Sequence, residues 1–394
     1  MTPRVVLKPQ KALPFYAHHP WVYAGAVAAV MGEPADGDEV DLYSHEGSFV
    51  ARGLYNSQSK ICVRLYSWDP DKPLDQEFFQ GKIEAAVRFR RDVLRLDGPN
   101  AGVRLVFSEA DGLSGMTVDR YDDWLAVQFT SLALARRREM LADILAQMLQ
   151  PKGIYLRTER GIGKLEGLEL QDGLLRGETP ADPITIEENG LKFLVNLREG
   201  QKTGYYLDQR ENRSAVARYA SGRRVLDAFC YSGGFGVHSA RAGAASVLGV
   251  DASEPALTLA RENARINELN VEFQQGDVFD VLAQLHGEGR RFDMVVLDPP
   301  KFARARHAIP EALRGYRRLY ALATQLLDRD GILVICCCSG LIGFDMLEEL
   351  LAGVAGDQRR DMQIIERRGA AADHPVAVSC RETGYLKCLI ARAV

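Results

Sequence analysis

The sequence predicts an α/β protein of 394 residues: a small N-terminal β-barrel, a central α+β segment, and a C-terminal parallel sheet between helices. Two observations carry this prediction. Beyond residue 187, runs of Val, Ile and Leu alternate with helical stretches, as in a parallel sheet covered on both faces. In the first 72 residues, short alternating segments are separated by turn signals, as in a small barrel. We therefore predict domains at 1–72, 73–186 and 187–394.

The composition is that of a globular protein, with 46% hydrophobic and 26% charged residues. The net charge of −4 argues against a chain coated in nucleic acid, although local basic patches matter more than the total. No apolar run reaches the roughly 18 residues that span a bilayer, and MTPRVVLKPQ lacks an apolar signal segment, so we expect a cytoplasmic location without a membrane partner. Seven cysteines without framework spacing fit a reducing compartment.

The first block has the alternation expected of strands, with turn signals at Asp36-Gly37 and Glu46-Gly47. The predicted strands are HPWVYAGAV (19–27), EVDLYSH (39–45), SFVARGLYN (48–56) and KICVRLYSW (60–68).

The central block mixes helices with a hairpin. Helical spacing predicts a helix over 74–96 and a second over 132–150, which Pro151 ends. GMTVDRYDDWLAVQFT (115–130) predicts a hairpin around Asp122-Asp123. No catalytic pattern stands out, so we interpret this block as a connector that also shapes a substrate cleft.

The third block alternates strands with helices, and ligands in such folds bind where the strands end. The predicted strands are RRVLDAF (223–229), SVLGVD (246–251), VEFQQGD (271–277), FDMVVLD (292–298), GILVICC (331–337) and YLKCLIARA (385–393).

Acidic residues at the first three strand ends indicate the ligand. Asp227 and Phe229 occupy the register where a nicotinamide-binding turn would have glycines, and an acid there suits an ammonium group rather than a pyrophosphate. Asp251 is placed for a ribose diol and Asp277 for an adenine edge. An ammonium, a ribose and an adenine without phosphate describe S-adenosylmethionine, although each acid could instead be a helix N-cap. The predicted cofactor residues on and around these strand ends are Asp227, Phe229, Ser232, Gly233, Asp251, Asp277, Val278 and Asp298.

The fourth strand ends in LDPPKF (297–302), where Lys301 precedes Phe302. Enzymes that methylate an exocyclic amine place an aromatic ring directly after Asp-Pro-Pro, so this register favours another target atom. A ring carbon such as C5 of a pyrimidine becomes nucleophilic once a thiolate adds at C6. A cysteine is therefore expected at a neighbouring strand end, with Lys301 as a candidate cation for its thiolate or, alternatively, as a solvated lysine.

GILVICCCSG (331–340) supplies that cysteine. Period-two geometry puts Cys336 and Cys338 on one face and Cys337 on the other, and the buried two are expected to be small core residues. Cys338 comes last, at the ligand end, and is the predicted nucleophile. Adjacent cysteines in a strand cannot converge on one zinc tetrahedron, and a C-x-x-C redox motif is absent from the sequence, so no metal site is predicted.

Five motifs together resemble the bacterial large-subunit ribosomal RNA cytosine-5 methyltransferases that carry an N-terminal PUA domain, and the similarity runs over nearly the whole chain. The motifs are QKTGYYLDQRENR (201–213), FCYSGGFGV (229–237), DPPKF (298–302), CSG (338–340) and ADHPV (372–376).

The resemblance implies a PUA barrel, a central α/β domain and a class I methyltransferase domain, with S-adenosylmethionine as methyl donor and 23S ribosomal RNA as substrate. It implies that Gln209 and Arg210 lie over the cofactor, that Asp251 holds the ribose and that Cys338 attacks C6. Asp298 is then expected at the N3/N4 edge of a cytosine that has left its stack.

The base that removes the C5 proton has no assignment. Many RNA cytosine-5 methyltransferases have a second cysteine in the Asp-Pro-Pro motif, which this chain lacks. Asp373 and His374 are candidates, or they form a turn fixed by Pro375. KFARARHAIPEALRGYRRLY (301–320) holds six Lys/Arg and one acid, and is either an RNA phosphate track or a solvated helix face.

Three other functions stay open at this point. A guanine N2 methyltransferase would not need Cys338, a small-molecule methyltransferase would leave the barrel unexplained, and a non-catalytic RNA-binding module would not need the cofactor residues. The sequence does not determine the modified nucleotide, whether a homodimer forms, or whether the substrate is free RNA or a ribosomal particle.

Overall fold

The computed structural model describes residues 2–159, 161–180, 183–303 and 305–394. Over this part of the chain, packing divides the protein into two compact units. Unit 1 comprises Met1–Ile186, Val195–Leu207 and Ala372–Thr383; unit 2 comprises Glu187–Leu194, Asp208–Ala371 and Gly384–Val394. The predicted boundary at residue 72 falls inside unit 1, and the predicted domain limits stay predictions.

The N-terminal part of unit 1 is a sheet with the strand order β2-β6-β5-β4-β1-β3, whose buried face carries Val5, Val40 and Val63. The predicted strand at 19–27 is wrong in its extent, because a 3₁₀ turn at Ala24–Ala26 divides it into two strands. The elements are β1 (Arg4–Leu7), α1 (Leu13–Tyr16), β2 (Trp21–Tyr23), β3 (Val27–Met31), β4 (Glu39–Tyr43), β5 (Phe49–Tyr55) and β6 (Ile61–Ser67).

The central part of unit 1 is a second sheet, in the order β11-β10-β9-β8-β7, with helices packed on it. The hairpin predicted around Asp122-Asp123 is present as β8 and β9. The elements are α2 (Gln76–Arg88), β7 (Gly102–Phe107), β8 (Met116–Tyr121), β9 (Trp124–Phe129), α3 (Leu132–Ala135), α4 (Arg138–Leu149), β10 (Gly153–Leu156), α5 (Ile162–Glu166) and β11 (Gly173–Gly177).

Both predicted central helices are interrupted. The first becomes a π-helical turn at Phe89–Val93, which turns Arg90 fully inward to an ion pair with Asp111 (Nη1–Oδ1 2.6 Å). Between Ala135 and Arg138 the second helix breaks, and α4 then ends at Leu149 with Gln150 in the left-handed region. The two sheets of unit 1 share core residues, since Leu54 and Tyr66 of the first pack in the same cluster as Phe79 of α2.

Unit 2 is built on a sheet in the order β16-β15-β14-β17-β18-β20-β19, parallel from β16 to β18 and antiparallel at β20 and β19. This confirms the predicted parallel sheet, while β19 was not predicted. A hairpin, β12 (Ile184–Glu188) and β13 (Leu191–Val195), precedes it. The sheet strands are β14 (Arg224–Ala228), β15 (Ser246–Asp251), β16 (Glu272–Gln275), β17 (Phe292–Leu297), β18 (Leu327–Cys337), β19 (Met362–Arg368) and β20 (Lys387–Ala393).

Helices connect these strands and bury both faces of the sheet. One core contains Leu319 of α10 and Cys337. The core on the other face contains Val216 of α6 and Cys336. No helix in the described ranges is long and apolar enough to cross a membrane. The helices are α6 (Arg210–Ala217), α7 (Gly234–Arg241), α8 (Glu254–Ile266), α9 (Val278–Gly287), α10 (Ile309–Leu326) and α11 (Phe344–Asp357).

Candidate active site

Asp227 is a fully buried acid and the second-last residue of β14. Its Oδ2 accepts the backbone N–H of Gly236 at 2.8 Å, whereas its Oδ1 has no hydrogen-bond partner among the described residues. Burial raises the pKa of Asp227 to about 8, and the nearby carboxylates of Asp298 and Asp251 act in the same direction. A buried carboxyl with one unused oxygen is suited to receive a cationic group.

The loop between β14 and α7 has a fixed, unusual backbone. Phe229, Tyr231 and Gly233 all have positive φ angles, of 62°, 48° and 80°. A Cβ atom at Gly233 would come within 3.2 Å of Ala260 Cβ and of the Phe273 ring, so a side chain there would crowd both neighbours and strain the backbone. This loop leads directly into the first turn of α7, beside Asp227.

The same loop is anchored from α8. The side chain of Asn263 donates to the carbonyl of Ser232 at 3.0 Å, and the side chains of both residues are buried. Ser232 therefore contributes its carbonyl to loop architecture, and its predicted contact with a cofactor stays a prediction.

Asp251 ends β15 and holds the neighbouring loops. Its Oδ2 accepts from Tyr231 N and its Oδ1 from Ser253 N, each at 2.9 Å. A carboxylate has roughly two acceptor positions per oxygen, so hydroxyl groups can still be accepted. Asp251 is not the cap of α8, because Ser253 has that position.

Asp277 is the N-cap of α9, the alternative that the sequence left open. Its Oδ1 accepts from Phe279 N at 2.9 Å and from Asp280 N at 3.3 Å. The next residue, Val278, is the first residue of α9 and is buried in the core. Cap geometry explains Asp277 at this position, and contact with an adenine edge is not required to explain it.

Gln209 forms a hydrogen bond with Asp298, another predicted site residue. It is buried, and its Nε2 donates to Asp298 Oδ2 at 3.0 Å, while its Oε1 accepts from Asn212 at 2.7 Å. Arg210 begins α6 and is buried beside Glu211 (Nη2–Oε1 3.3 Å). Gln209 is therefore linked to the Asp-Pro-Pro motif within unit 2 by a hydrogen bond that was not predicted, and the predicted place of Gln209 and Arg210 over the cofactor stays a prediction.

The three cysteines have different surroundings. Cys336 is buried opposite Cys388 of β20, and Cys337 is buried with its Sγ 3.5 Å from the hydroxyl of Tyr316. Contact with Cys388 and burial raise the pKa of Cys336 far above its usual range. Cys338 follows the end of β18 and is partly exposed. The opposite-face prediction for Cys336 and Cys337 agrees with their separate cores.

Cations near this strand end are Lys301 and Lys387. Lys301 is exposed, with its Nζ 6.0 Å from the centroid of the Tyr385 ring. Lys387, the first residue of β20, is buried, and its Nζ donates to Ser339 O at 2.8 Å and to Tyr385 O at 3.0 Å. Lys387 was not predicted to be a site residue, although a lysine inside the apolar run YLKCLIARA is unusual and could have indicated one.

The predicted phosphate track on α10 is only partly available. Arg317 pairs with Asp357 (Nη2–Oδ2 2.6 Å), and Arg318 lies 4.9 Å above the Phe279 ring. Arg314 is exposed, and Arg304 of the same stretch lies outside the described residues. Phe302 packs against Tyr316 at a centroid distance of 4.6 Å, so it is turned towards the core.

Asp373 and His374, the candidate bases, are both buried in unit 1. Asp373 Oδ1 lies 2.9 Å from His374 Nδ1, and its Oδ2 accepts the backbone N–H of Arg104 at 2.9 Å. The carbonyl of Asp373 also accepts from Arg90 at 2.8 Å. These contacts favour a structural role in the turn over proton abstraction.

His19, Cys380 and Glu382 bring potential metal ligands together in unit 1. Glu382 Oε2 lies 3.7 Å from His19 Nε2 and 3.6 Å from Cys380 Sγ. However, His19 Nδ1 accepts the backbone N–H of Trp21 at 3.3 Å, so a neutral ring carries its proton on Nε2, the atom a metal would need. This tautomer does not fit a metal centre.

Comparison with known proteins decides the class of the site. Residues 172–389, more than half of the chain, match the family described as S-adenosylmethionine-dependent methyltransferase, and residues 5–68 match the PUA-like domain. The chain belongs to the S-adenosylmethionine-dependent methyltransferase family. This confirms the predicted fold class, with a PUA-like N-terminal part and a class I methyltransferase part, and it confirms S-adenosylmethionine as the methyl donor.

Two relatives that match nearly the whole of this methyltransferase have the same name. A protein from Shewanella amazonensis named "Ribosomal RNA large subunit methyltransferase I" is 42% identical over 395 residues, covering 100% of both chains. A protein of the same name from Aeromonas salmonicida is 41% identical, covering 95% of both chains. Among solved structures, a SAM-dependent methyltransferase from Streptococcus mutans superposes with a TM-score of 0.85 at 20% identity, and a methyltransferase complexed with SAH with 0.87 at 20%, each covering 100% of both chains; these two show the fold.

The residues of this methyltransferase fit the donor, which supplies a methyl group on a sulfonium centre. The unused Oδ1 of Asp227 matches its ammonium group, and Asp251 keeps acceptor positions for its ribose hydroxyls. Gly233 leaves the loop backbone open to close approach. A buried carboxyl oxygen without a partner destabilises the free protein, and binding of the donor's ammonium group would give Asp227 that partner.

Proposed function

We propose that this protein transfers a methyl group from S-adenosylmethionine to C5 of a cytosine in 23S ribosomal RNA, through a bond between Cys338 Sγ and C6 of the base. The observation that carries the proposal is the position of Cys338. It follows β18, beside the end of β17 that leads to Asp298, and it is partly exposed whereas the other cysteines of the described chain are buried. An accessible sulfur at the ligand edge is what C6 addition requires.

Ribosomal RNA as substrate is supported by two findings. The full-length relatives are named "Ribosomal RNA large subunit methyltransferase I", and residues 5–68 match a PUA-like domain. Both are consistent with an RNA of the large subunit, and the choice of a cytosine and of C5 comes from Cys338 and from the position of Lys301 in the Asp-Pro-Pro motif.

The chemistry assigns one covalent role to the chain. The Cys338 thiolate adds to C6, the C5=C6 π bond opens, and its electron pair forms the bond from C5 to the methyl group while the S–CH3 bond of the donor breaks and leaves a neutral thioether. A base then removes the C5 proton, the electron pair re-forms C5=C6, and the Cys338 thiolate leaves. Asp298, held by Gln209, is assigned to the N3/N4 edge of the base, where in its protonated form it donates to N3 and neutralises the negative charge that addition of the thiolate places there.

The test uses RNA with 5-fluorocytosine at the target position. Fluorine cannot leave as a proton does, so wild-type enzyme should form an adduct that withstands denaturing gels and maps to the Cys338 peptide. Cys338→Ala should fold, bind the donor and RNA, and transfer no methyl group. Cys337→Ala is the matched control, since it removes a neighbouring sulfur that is buried against Tyr316, and it should stay active.

Other outcomes have defined meanings. An active Cys338→Ala variant without an adduct would replace this proposal with guanine N2 methylation, in which the sulfur is dispensable. An adduct at Cys336 or Cys230 would keep the cytosine chemistry and overturn the residue.

A further inference from the structure

Lys387 is a buried cation without a carboxylate partner. Its side chain is only 7% exposed, and it forms no ion pair with Asp or Glu among the described residues. Burying an ammonium group away from opposite charge is costly, and burial lowers the pKa of Lys387. Such a residue needs a compensating partner, and ordinary strand packing does not supply one.

Two backbone carbonyls accept hydrogen bonds from its Nζ, and the thiols of Cys337 and Cys338 interact with it electrostatically. An ammonium has three N–H donors, and two of them bond Ser339 O and Tyr385 O. In the strand register Lys387 lies opposite Cys337, so the two side chains share a face of the sheet. The thiols of Cys337 and Cys338 are the groups whose negative charge would favour the charged ammonium.

The same contacts fix the segment that carries Cys338. Lys387 holds the carbonyl of Ser339, the next residue, while Ser339 Oγ donates to Ala303 O at 3.2 Å. Leu341 N in turn donates to Ser339 Oγ at 3.4 Å. The residue after Cys338 is thus held by its carbonyl and its hydroxyl, so Lys387 and Ala303 fix the backbone next to Cys338.

We propose that Lys387 is a positioning residue that orients Cys338 and stabilises its thiolate. This inference rests on the proposed cytosine chemistry, in which Cys338 must ionise before it adds to C6. It also gives Lys387 the role predicted for Lys301, which is exposed and has its Nζ 6.0 Å from the centroid of the Tyr385 ring. A desolvated cation acts more strongly on a thiolate than a solvated one does.

Other titratable groups at this strand end do not supply the charge. The Tyr316 hydroxyl faces Cys337 and Cys338 from α10, and burial keeps it neutral by raising its pKa. Tyr385 donates to Asp208, which places that carboxylate beyond the ring. Lys301 is exposed, so water screens its charge.

The test measures how fast iodoacetamide alkylates Cys338 as pH is varied, with the modified peptide quantified by mass spectrometry. The assay uses full-length protein without RNA, and Cys338→Ala gives the blank. The variants are Lys387→Met, which removes the charge, and Lys387→Arg, which keeps it. Lys192→Met is the matched control, because Lys192 is an exposed lysine of β13 outside the site.

In wild-type protein the midpoint of alkylation should lie below the ordinary thiol value of about 8.5. Lys387→Met should raise it by about one pH unit, so alkylation at pH 7 slows by about tenfold. Lys387→Arg should largely restore the low midpoint, and Lys192→Met should leave it unchanged. A merely structural lysine would alter stability without moving this midpoint.

Two results would overturn the proposal: a wild-type midpoint at or above about 8.5, or a folded Lys387→Met variant with the wild-type midpoint. The first needs no variant, so it decides the matter even if Lys387→Met does not fold. Because the assay involves no RNA, its failure is distinct from failure of the fluorocytosine adduct, which tests the reaction itself.

Discussion

The free enzyme should hold Asp227 protonated at neutral pH and release that proton when the donor binds. Burial raises the pKa of Asp227 to about 8, so at pH 6.5 the carboxyl of the free protein is about 97% protonated. The ammonium group of S-adenosylmethionine needs the carboxylate, whose Oδ1 has no partner in the described chain. Binding at pH 6.5 should therefore release close to one proton.

Isothermal titration calorimetry in two buffers of different ionisation enthalpy measures this number directly. Affinity should rise by about twentyfold from pH 6 to pH 8, because the carboxyl ionises over that range while an α-amino group of pKa about 7.7–8.0 begins to lose its charge. Above pH 8 the amine deprotonates and affinity should fall again. Asp227→Asn should bind weakly and release no proton.

The same variant gives a check on the free protein. The pKa of Asp227 is raised by folding from an unfolded value of 3.8, so its stabilising contribution is full below that value and is lost as pH rises towards about 8. The free energy of unfolding of wild type relative to Asp227→Asn should fall by about 1.4 kcal/mol per pH unit between pH 5 and pH 7. If wild type releases no proton at pH 6.5 and shows the pH slope of the variant, Asp227 is already ionised and this reasoning is wrong.

Three further predictions concern the donor site, the fold and RNA contact. Asp251→Ala should weaken S-adenosylmethionine binding by tenfold or more in a folded protein, since hydrogen bonds to a charged group contribute about 1.5–3 kcal/mol each; unchanged calorimetric affinity would remove Asp251 from the site. Glu188→Ala leaves buried Arg213 without its bidentate partner (2.6 and 2.7 Å) and should cost about 3–5 kcal/mol in urea unfolding, whereas a loss below about 1 kcal/mol would mean that water reaches the arginine. Arg314→Ala should lower the salt slope of RNA binding by about one and Arg317→Ala by less, because Asp357 already neutralises Arg317; equal slopes for both variants would contradict this ranking.

The fold could be predicted where hydrophobic runs are long and turns are marked. The parallel strands of unit 2 and the hairpin around Asp122-Asp123 follow such runs. Strand β19 was missed because MQIIERR has two adjacent isoleucines followed by three charged residues, so no apolar run or alternation marks this edge strand. The 3₁₀ turn at Ala24–Ala26 was missed because a three-residue interruption leaves little signal in an alternating segment.

At the site, the sequence indicates which residues lie at the strand ends, but not which groups they bond. Residue types at strand ends pointed to Asp227, Asp251 and Asp277, but their hydrogen-bond partners come from loops that the sequence pattern does not place. Those partners separate the acids: Asp277 is satisfied as a helix cap, whereas Asp227 keeps an unused buried oxygen.

Because a satisfied acid gains little from a ligand and an unsatisfied one gains much, the donor's binding energy should concentrate at Asp227. The lysines divide in the same way. Lys301 belongs to the Asp-Pro-Pro motif and is exposed. Lys387 belongs to a predicted strand that carries no motif, and it is buried without a carboxylate partner among the described residues. In the described part of the chain, Asp227 and Lys387 are each buried without a paired opposite charge, unlike Asp277 and Lys301. A ligand can therefore stabilise the charge of Asp227, and a thiolate that of Lys387. Burial and pairing therefore rank candidates that a motif leaves equal.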